Sequence, residues 1–285
     1  MIRDHKPLQD PEIIEYLFAH LNHVCKYNVD LASWSTEEHI AVFENWINSN
    51  QISKIVGLEN FPVKALCSGT SQTIENFVNR NNHRQIRFSR SEFVLSRIVC
   101  NANGIKWQYL EDHDLKENDA LILSWPFSGN GGTYPNIEEV LTKCNDLNIP
   151  VLIDAAYFGI ATSLEIDARY DCITDVCTSI SKPFSTMLRH GIRFTKKRYD
   201  DSIQNSSDSG ILSRMSTVTA THLLTNFPAE FIINKYQPRQ EKICKEFGIV
   251  PTPVITLALG DCDRYKDFLR GDYVRICITD ELQAT

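Results

Sequence analysis

The sequence predicts an α/β fold: a mostly parallel sheet in a large domain, covered by helices on both faces, with a reduced α+β small domain after it. Three observations carry this. Two runs, A-L-I-L-S at 120–124 and V-L-I-D-A-A at 151–156, are apolar almost without interruption, as strands buried on both faces must be. Amphipathic helical patterns stand between the strand-like runs, the mark of parallel strands joined by crossover helices. After about residue 197 the alternation gives way to a polar stretch, two helical stretches and two strand-like runs.

Taken in chain order, Ile13, Ile14, Leu17, Phe18 and Leu21 have helical spacing and predict a helix over Pro11–His23. Ser35-Thr36-Glu37-Glu38 reads as the start of a second helix, a hydroxyl cap followed by carboxylates, continued on one face by Ala41, Val42, Trp46 and Ile47. A third helix opens at S-G-T-S-Q-T-I-E, with Ile74, Phe77 and Val78 inward. Q-I-R-F is a short strand, S-E-F-V-L-S-R-I-V-C a helix ended by N-A-N-G, and I-K-W-Q-Y-L a strand. N-I-E-E-V-L-T-K-C-N-D-L is the helix between the two apolar strands. K-K-R-Y-D-D-S-I-Q-N-S-S-D-S-G reads as loop. Helices over Thr217–Thr225 and Glu230–Phe247 follow, then strands V-I-T-L-A-L and Y-V-R-I-C-I-T.

Composition narrows the function classes. The 285 residues carry a formal charge of -7, with 42% hydrophobic and 23% charged residues. This mild acidity argues against nucleic acid or an anionic membrane as partner. No apolar run reaches the roughly 18 residues of a spanning helix. The first residues, M-I-R-D-H-K-P-L-Q-D, have no apolar core of the kind a secretory signal needs. Nine cysteines include no C-x-x-C pair; free buried thiols in a reducing cytosol account for them more simply than a zinc site at Cys172 and Cys177, whose spacing is wrong.

Four loops fall where such a sheet presents ligands, beyond the carboxyl ends of its strands. In C-S-G-T-S-Q-T-I-E, Ser68, Gly69, Thr70 and Ser71 run into a helix; its free N–H groups suit an anion, and an ordinary helix cap would look the same. S-W-P-F-S-G-N-G-G-T-Y-P is a long polar loop holding Asn130, with Trp125 beside it. V-L-I-D-A-A-Y-F-G puts Asp154 at the end of an apolar strand and Tyr157 three residues on. A carboxylate there needs a cation or donors, or caps a helix. T-S-I-S-K-P-F adds Ser179, Ser181 and Lys182, followed by Arg189 and His190. Lys182 is either a solvated charge or an amine in a closed pocket, where its pKa falls and it becomes a nucleophile. An anion cradle, a buried acid, a phenol, an amide, an amine and an arginine together match one cofactor, pyridoxal 5'-phosphate.

In this order the motifs resemble those of the aspartate aminotransferase family of fold type I pyridoxal-phosphate enzymes. S-G-T-S is similar to the family's phosphate-binding turn. Phe93 resembles the aromatic that stacks on the cofactor ring. P-F-S-G-N-G-G stands where the family has N-P-x-N-P-T-G. D-A-A-Y resembles D-E-A-Y, which gives Asp154 the ring nitrogen and Tyr157 the ring oxygen. S-I-S-K matches S-x-S-K, making Lys182 the Schiff-base lysine and Ser179 a phosphate ligand. R-H-G resembles R-x-G, with Arg189 as the phosphate's charged partner. Y-V-R-I-C-I-T resembles the strand whose arginine, here Arg275, clamps the substrate carboxylate, a task suited to a guanidinium fork.

The resemblance spans about residues 63 to 280, and the chain departs from it in places. Either Asn130, the first choice, or Ser128 takes the amide's place beside the ring oxygen. The step from Lys182 to Arg189 is one residue short, so His190 or Arg193 stands as an alternative. The resemblance implies a large cofactor-binding domain at 45–200, with 1–44 and 201–285 as N-terminal arm and reduced small domain. It also implies a cytoplasmic homodimer acting on an amino acid and a 2-oxo acid. Transamination is the leading reaction, with Trp125, Asn130 and Arg275 at the substrate. Elimination or replacement at Cβ or Cγ, cyclisation or decarboxylation is the alternative, and a non-catalytic cofactor-binding protein the third reading. Trp34, Trp46 and Trp107 are assigned to packing. Of the eight histidines only His190, beside Arg189, is given a partner.

Overall fold

The structure, a computed structural model, describes residues 5–27, 35–184 and 189–284. Trp34 lies outside the described residues. Seven strands form the main sheet: β1 (Val63–Cys67), β2 (Gln85–Phe88), β3 (Trp107–Tyr109), β4 (Asp119–Ser124), β5 (Val151–Asp154), β6 (Ile173–Ser179) and β7 (Gly191–Thr195). Their order across the sheet is β1-β7-β6-β5-β4-β2-β3. All neighbouring pairs are parallel except those that β7 makes with β6 and β1. Every residue of β4 and β5 is buried. Side chains alternate across the sheet, as the period of two requires. Leu121, Leu123, Val151 and Ile153 join the main core on one face. Ala120, Ile122, Leu152 and Cys177 pack on the other against Ile74, Phe77 and Val99. The register pairs Ser124 with Asp154, and Asp154 with Cys177, so β4, β5 and β6 end along one edge.

The helices are α1 (Pro11–Tyr27), α2 (Thr36–Ser49), α3 (Thr70–Arg80), α4 (Leu95–Ala102) and α5 (Ile137–Asp146). Helix α2 starts with the expected capping box: Glu38 N–H donates to Ser35 Oγ at 3.1 Å and Ser35 N–H to Glu38 Oε2 at 2.8 Å. Helix α4 begins later than S-E-F-V-L suggests. Glu92 is drawn out of a helical path because its carboxylate accepts from the Ser124 N–H at 2.8 Å and the Ser124 hydroxyl at 2.7 Å. The strand β1 is not anticipated in the sequence.

The stretch read as loop after 197 contains α6 (Ser202–Asp208). Asp201 caps it by accepting from Gln204 N–H at 2.9 Å, and Ile203 packs on Ala65 and Cys67 of β1. Helices α7 (Arg214–Asn226) and α8 (Phe231–Phe247) follow, then a second, antiparallel sheet of β8 (Val250–Pro251), β9 (Leu257–Leu259), β10 (Leu269–Arg270) and β11 (Tyr273–Cys277), ordered β8-β9-β11-β10. Only the last half of V-I-T-L-A-L is strand. Gln240 Nε2 donates to the carbonyls of Thr252, Val254 and Leu257 at 3.0, 3.1 and 3.1 Å, which folds the first half into a turn. Among the described residues no helix is long and apolar enough to cross a membrane. Cys67, Cys100, Cys144, Cys172, Cys177, Cys244 and Cys277 are free and buried, but Cys262 is free and exposed, so burial does not hold for all of them.

Candidate active site

A cavity of about 670 Å³ opens along the edge where β4, β5 and β6 end. Ser124, Asp154 and Ser179, the last residues of those strands, line it, together with Lys182 three residues beyond β6. The apolar strands thus deliver polar side chains at their ends, where the sheet stops covering them.

Asp154 is buried. Its Oδ1 accepts from Ala156 N–H at 3.0 Å, and Thr70 at the start of α3 also favours its ionised form. Burial pushes its carboxyl up to about 7, and the nearby Glu92 carboxylate adds to that, against the pull of the donors and Lys182. Glu92 is itself buried and raised for the same first reason. Burial likewise pushes the Lys182 amine down to about 8; Asp154 opposes this, while Arg275 and Arg189 reinforce it. A lysine in that range has a substantial neutral fraction near neutrality, as a nucleophile or base must. The amine lies 5.3 Å from the centre of the Tyr157 ring.

The turn before α3 forms one wall. Gly69 has φ +86°, a conformation that L side chains rarely adopt. It lets the chain enter the helix with Gly69, Thr70 and Ser71 all on the cavity. Arg189 faces this turn and donates from Nη2 to Ser71 Oγ at 3.2 Å. Arg189 also has a positive φ of +41°, an uncommon state for a non-glycine residue that here aims its guanidinium at the helix start. Ser179 lines the same wall, and the buried Ser181 Oγ there has no hydrogen-bond partner among the described residues. A cationic fork, a helix N-terminus and an unpartnered hydroxyl suit a phosphate-sized anion. Of the alternatives to Arg189, neither reaches the cavity. Arg193 pairs with Asp201 at 2.6 Å. His190 is buried against His39, Nε2 to Nε2 at 2.6 Å.

In the glycine loop, Ser128 lines the cavity and Asn130 does not. The Asn130 amide serves the loop itself: Oδ1 accepts from Gly132 N–H at 2.8 Å and Nδ2 donates to Thr133 O at 3.0 Å. Gly129 is obligatory because a Cβ there would lie 2.6–2.8 Å from Phe127, Ser91 and Tyr273. Trp125 is buried and its ring lies outside the cavity lining; Ser68 is exposed and also outside it. Phe93 lines the mouth, 43% exposed.

Arg275 on β11 is 1% exposed. Nη1 donates to Ser128 O at 2.6 Å and to Ser128 Oγ at 3.2 Å. Its Nε and Nη2 have no partner among the described residues. Its charge is felt at Lys182, Tyr157 and His5, but Arg275 itself is not among the residues that line the cavity; Ser128, which it holds, is.

Several lining residues were not singled out in the sequence. His5, near the start of the chain, lies 3.0 Å from Lys182 Nζ through Nδ1 and edge-on to Tyr157 at 5.1 Å between ring centres. Glu92, Arg90, Arg97 and Arg270 form the far wall with Ser89 and Tyr109. Helical periodicity hid Glu92, since S-E-F-V-L reads as continuous helix. Nothing local marks His5.

No protein-family model matches the chain, and no curated protein matches it by sequence. Solved structures do share its architecture. Tyrosine aminotransferase from Leishmania infantum superposes with a TM-score of 0.67 at 13% identity, over 96% of this chain and 88% of that one. The pyridoxal-phosphate-bound C-S lyase from Staphylococcus hominis gives 0.65 at 13%, over 93% and 76%. L-threonine-O-3-phosphate decarboxylase from Porphyromonas gingivalis gives 0.64 at 14%, over 96% and 92%. The fold is therefore that of the fold type I aminotransferase-like enzymes.

Proposed function

We propose that this chain is a pyridoxal-phosphate enzyme acting on an amino acid, and that its reaction is transamination with a 2-oxo acid. The observation that carries the reading is one cavity holding the Lys182 amine, the buried Asp154 carboxyl and the Gly69–Ser71 turn faced by Arg189. The unpartnered donors at Ser181 and Arg275 fit a site built to receive anionic groups. When bound, the cofactor supplies an aldehyde that takes up an amino group and a ring that stabilises negative charge at the substrate's α-carbon.

The chain's own residues then divide the work. Arg189, Ser179 and the N–H groups opening α3 would hold the phosphate. Asp154 would meet the ring nitrogen, and a cationic partner there would bring its carboxyl back down from about 7 to the ionised form. Tyr157, Ser128 and Phe93 would contact the ring. Arg275 orients the substrate's α-carboxylate through its free Nε and Nη2. Lys182 takes the proton from the substrate's α-carbon and returns it, which a lowered amine pKa favours.

Elimination, replacement, cyclisation or decarboxylation is the second reading. It is supported by the comparable likeness to a C-S lyase and a decarboxylase. One assay separates them. Purified protein is mixed with amino acids and a 2-oxo acid, and products are identified by mass. Transamination yields the aminated oxo acid; the alternatives release ammonia, carbon dioxide or a thiol without needing any oxo acid. A protein with no visible absorption band that distinguishes it from Lys182→Ala would refute the cofactor.

A further inference from the structure

The side chain that hydrogen-bonds the Lys182 amine lies 177 positions away in the chain. His5 Nδ1 is 3.0 Å from Lys182 Nζ, and its other ring nitrogen, Nε2, is 2.9 Å from Thr256 Oγ1. A lysine ammonium has donors only, so Nδ1 accepts and Nε2 carries the ring proton toward the Thr256 hydroxyl. This fixes both tautomer and ring plane. The Tyr157 ring meets the imidazole edge-on.

The segment bearing His5 is clamped to Cys277, the last residue of the strand that bears Arg275, and to the residues just after it. Lys6 N–H donates to Cys277 Sγ at 3.3 Å and Thr279 Oγ1 donates to Lys6 O at 2.7 Å. Lys6 also pairs with Asp280, and Gln283 Nε2 donates to Gln9 O at 2.8 Å. Behind it the buried Asp10 accepts from Tyr236 Oη at 2.7 Å. His5 therefore does not hang in the cavity on a loose terminus. Its place is set by Thr256 and by the end of β11 with the residues that follow it.

We infer that His5 is a positioning residue for Lys182: a neutral imidazole that accepts the amine's hydrogen bond and holds it toward the reacting centre. The inference rests on the cofactor reading and deepens it. Three cations face His5, namely Lys182, Arg275 on β11 and Arg270 on β10; after burial, they hold its imidazole well below the usual histidine range. It thus remains an acceptor at neutral pH. Lys182 faces Asp154, Arg275, Cys277 and Arg189 besides. Within that ring His5 offers a neutral acceptor that adds direction without adding charge.

Two substitutions separate an acceptor from a packing role. His5→Asn keeps an acceptor near the Nδ1 position and loses ring volume. His5→Leu fills the space without an acceptor. The visible band of the cofactor-loaded protein is titrated against pH, and kcat and KM are measured with the same proteins. The expected result is a midpoint lower by about one pH unit in His5→Leu, because the protonated nitrogen loses a hydrogen bond while the site stays dry. In that variant kcat falls about tenfold or more with little change in KM, and His5→Asn restores most of both. Thr256→Val, which frees Nε2, moves both readouts less and in the same direction. A His5→Leu protein that matches the wild type, or a His5→Asn protein that loses as much as His5→Leu, overturns the inference. A wild-type protein without a band that Lys182→Ala removes overturns the cofactor reading, and this inference with it.

Discussion

Arg193 on β7 and Arg275 on β11 are equally hidden, each 1% exposed, yet they are treated oppositely by their surroundings. Arg193 grips Asp201 with both terminal nitrogens, at 2.6 and 3.1 Å. Arg87 is a third buried guanidinium and is answered the same way, by Asp119 at 2.6 Å. Arg275 has only Ser128, a carbonyl and a hydroxyl, with no carboxylate among its partners in the described residues. An Nε is unpartnered in all three, so the counter-ion is what separates them. Burying an uncompensated cation costs several kcal/mol. The neutral Ser128 holds Arg275 in place without neutralising it, which is what the proposed role at the substrate carboxylate requires.

The comparison predicts opposite phenotypes. The largest effect is Arg275→Gln: kcat/KM for amino acids falls about 10³-fold, some 4 kcal/mol of lost binding in the transition state, with the unfolding midpoint unchanged or raised. Steady-state kinetics with a melting curve on the same sample checks both halves. Arg193→Gln reverses the pattern. It lowers stability by about 3 kcal/mol, because Asp201 loses its closest cation and keeps only Arg80 at 3.6 Å, while the folded fraction keeps kcat/KM within about threefold; denaturant titration measures the loss. Arg275→Leu then gives the counter-test, a gain of about 1 kcal/mol in unfolding free energy when the lone cation is removed. Equal losses of stability in the two positions would break the comparison.

The smallest effect is one of pH. In cofactor-free protein Asp154 keeps its proton up to about 7, whereas the unfolded chain releases it near the ordinary carboxyl value. Between those values the folded state binds the extra proton. Its contribution is complete below the unfolded value and is lost as pH rises through about 7. Asp154→Asn flattens that part of the stability profile, as melting curves from pH 4 to 8 would record.

Much of the cavity floor was legible because it is local. A-L-I-L-S and V-L-I-D are uninterrupted apolar runs, and a polar residue that ends such a run must stand at a sheet edge. Asp154 follows from that, whereas Ser179 and Lys182, after D-V-C-T-S-I, needed the resemblance of S-I-S-K to S-x-S-K as well. The roof was less so. Arg275 was picked out only by the resemblance of its strand to the family's, and His5 meets Lys182 across 177 positions, a span that no periodicity reports. The glycine loop contains both Ser128 and Asn130, and composition cannot rank them. The close approach of Gly129 to Ser91 and Tyr273 goes with a path in which Ser128 lines the cavity and Asn130 bonds within the loop. Helix α6 was hidden by its polarity, although D-D-S-I-Q carries both its Asp201 cap and its one core residue, Ile203.

The most direct test is covalent. Reducing the purified protein with borohydride and mapping its peptides by mass should find a pyridoxyl-phosphate adduct on the peptide carrying Lys182, absent from Lys182→Ala. No adduct, or an adduct on another lysine, would contradict the assignment of this cavity.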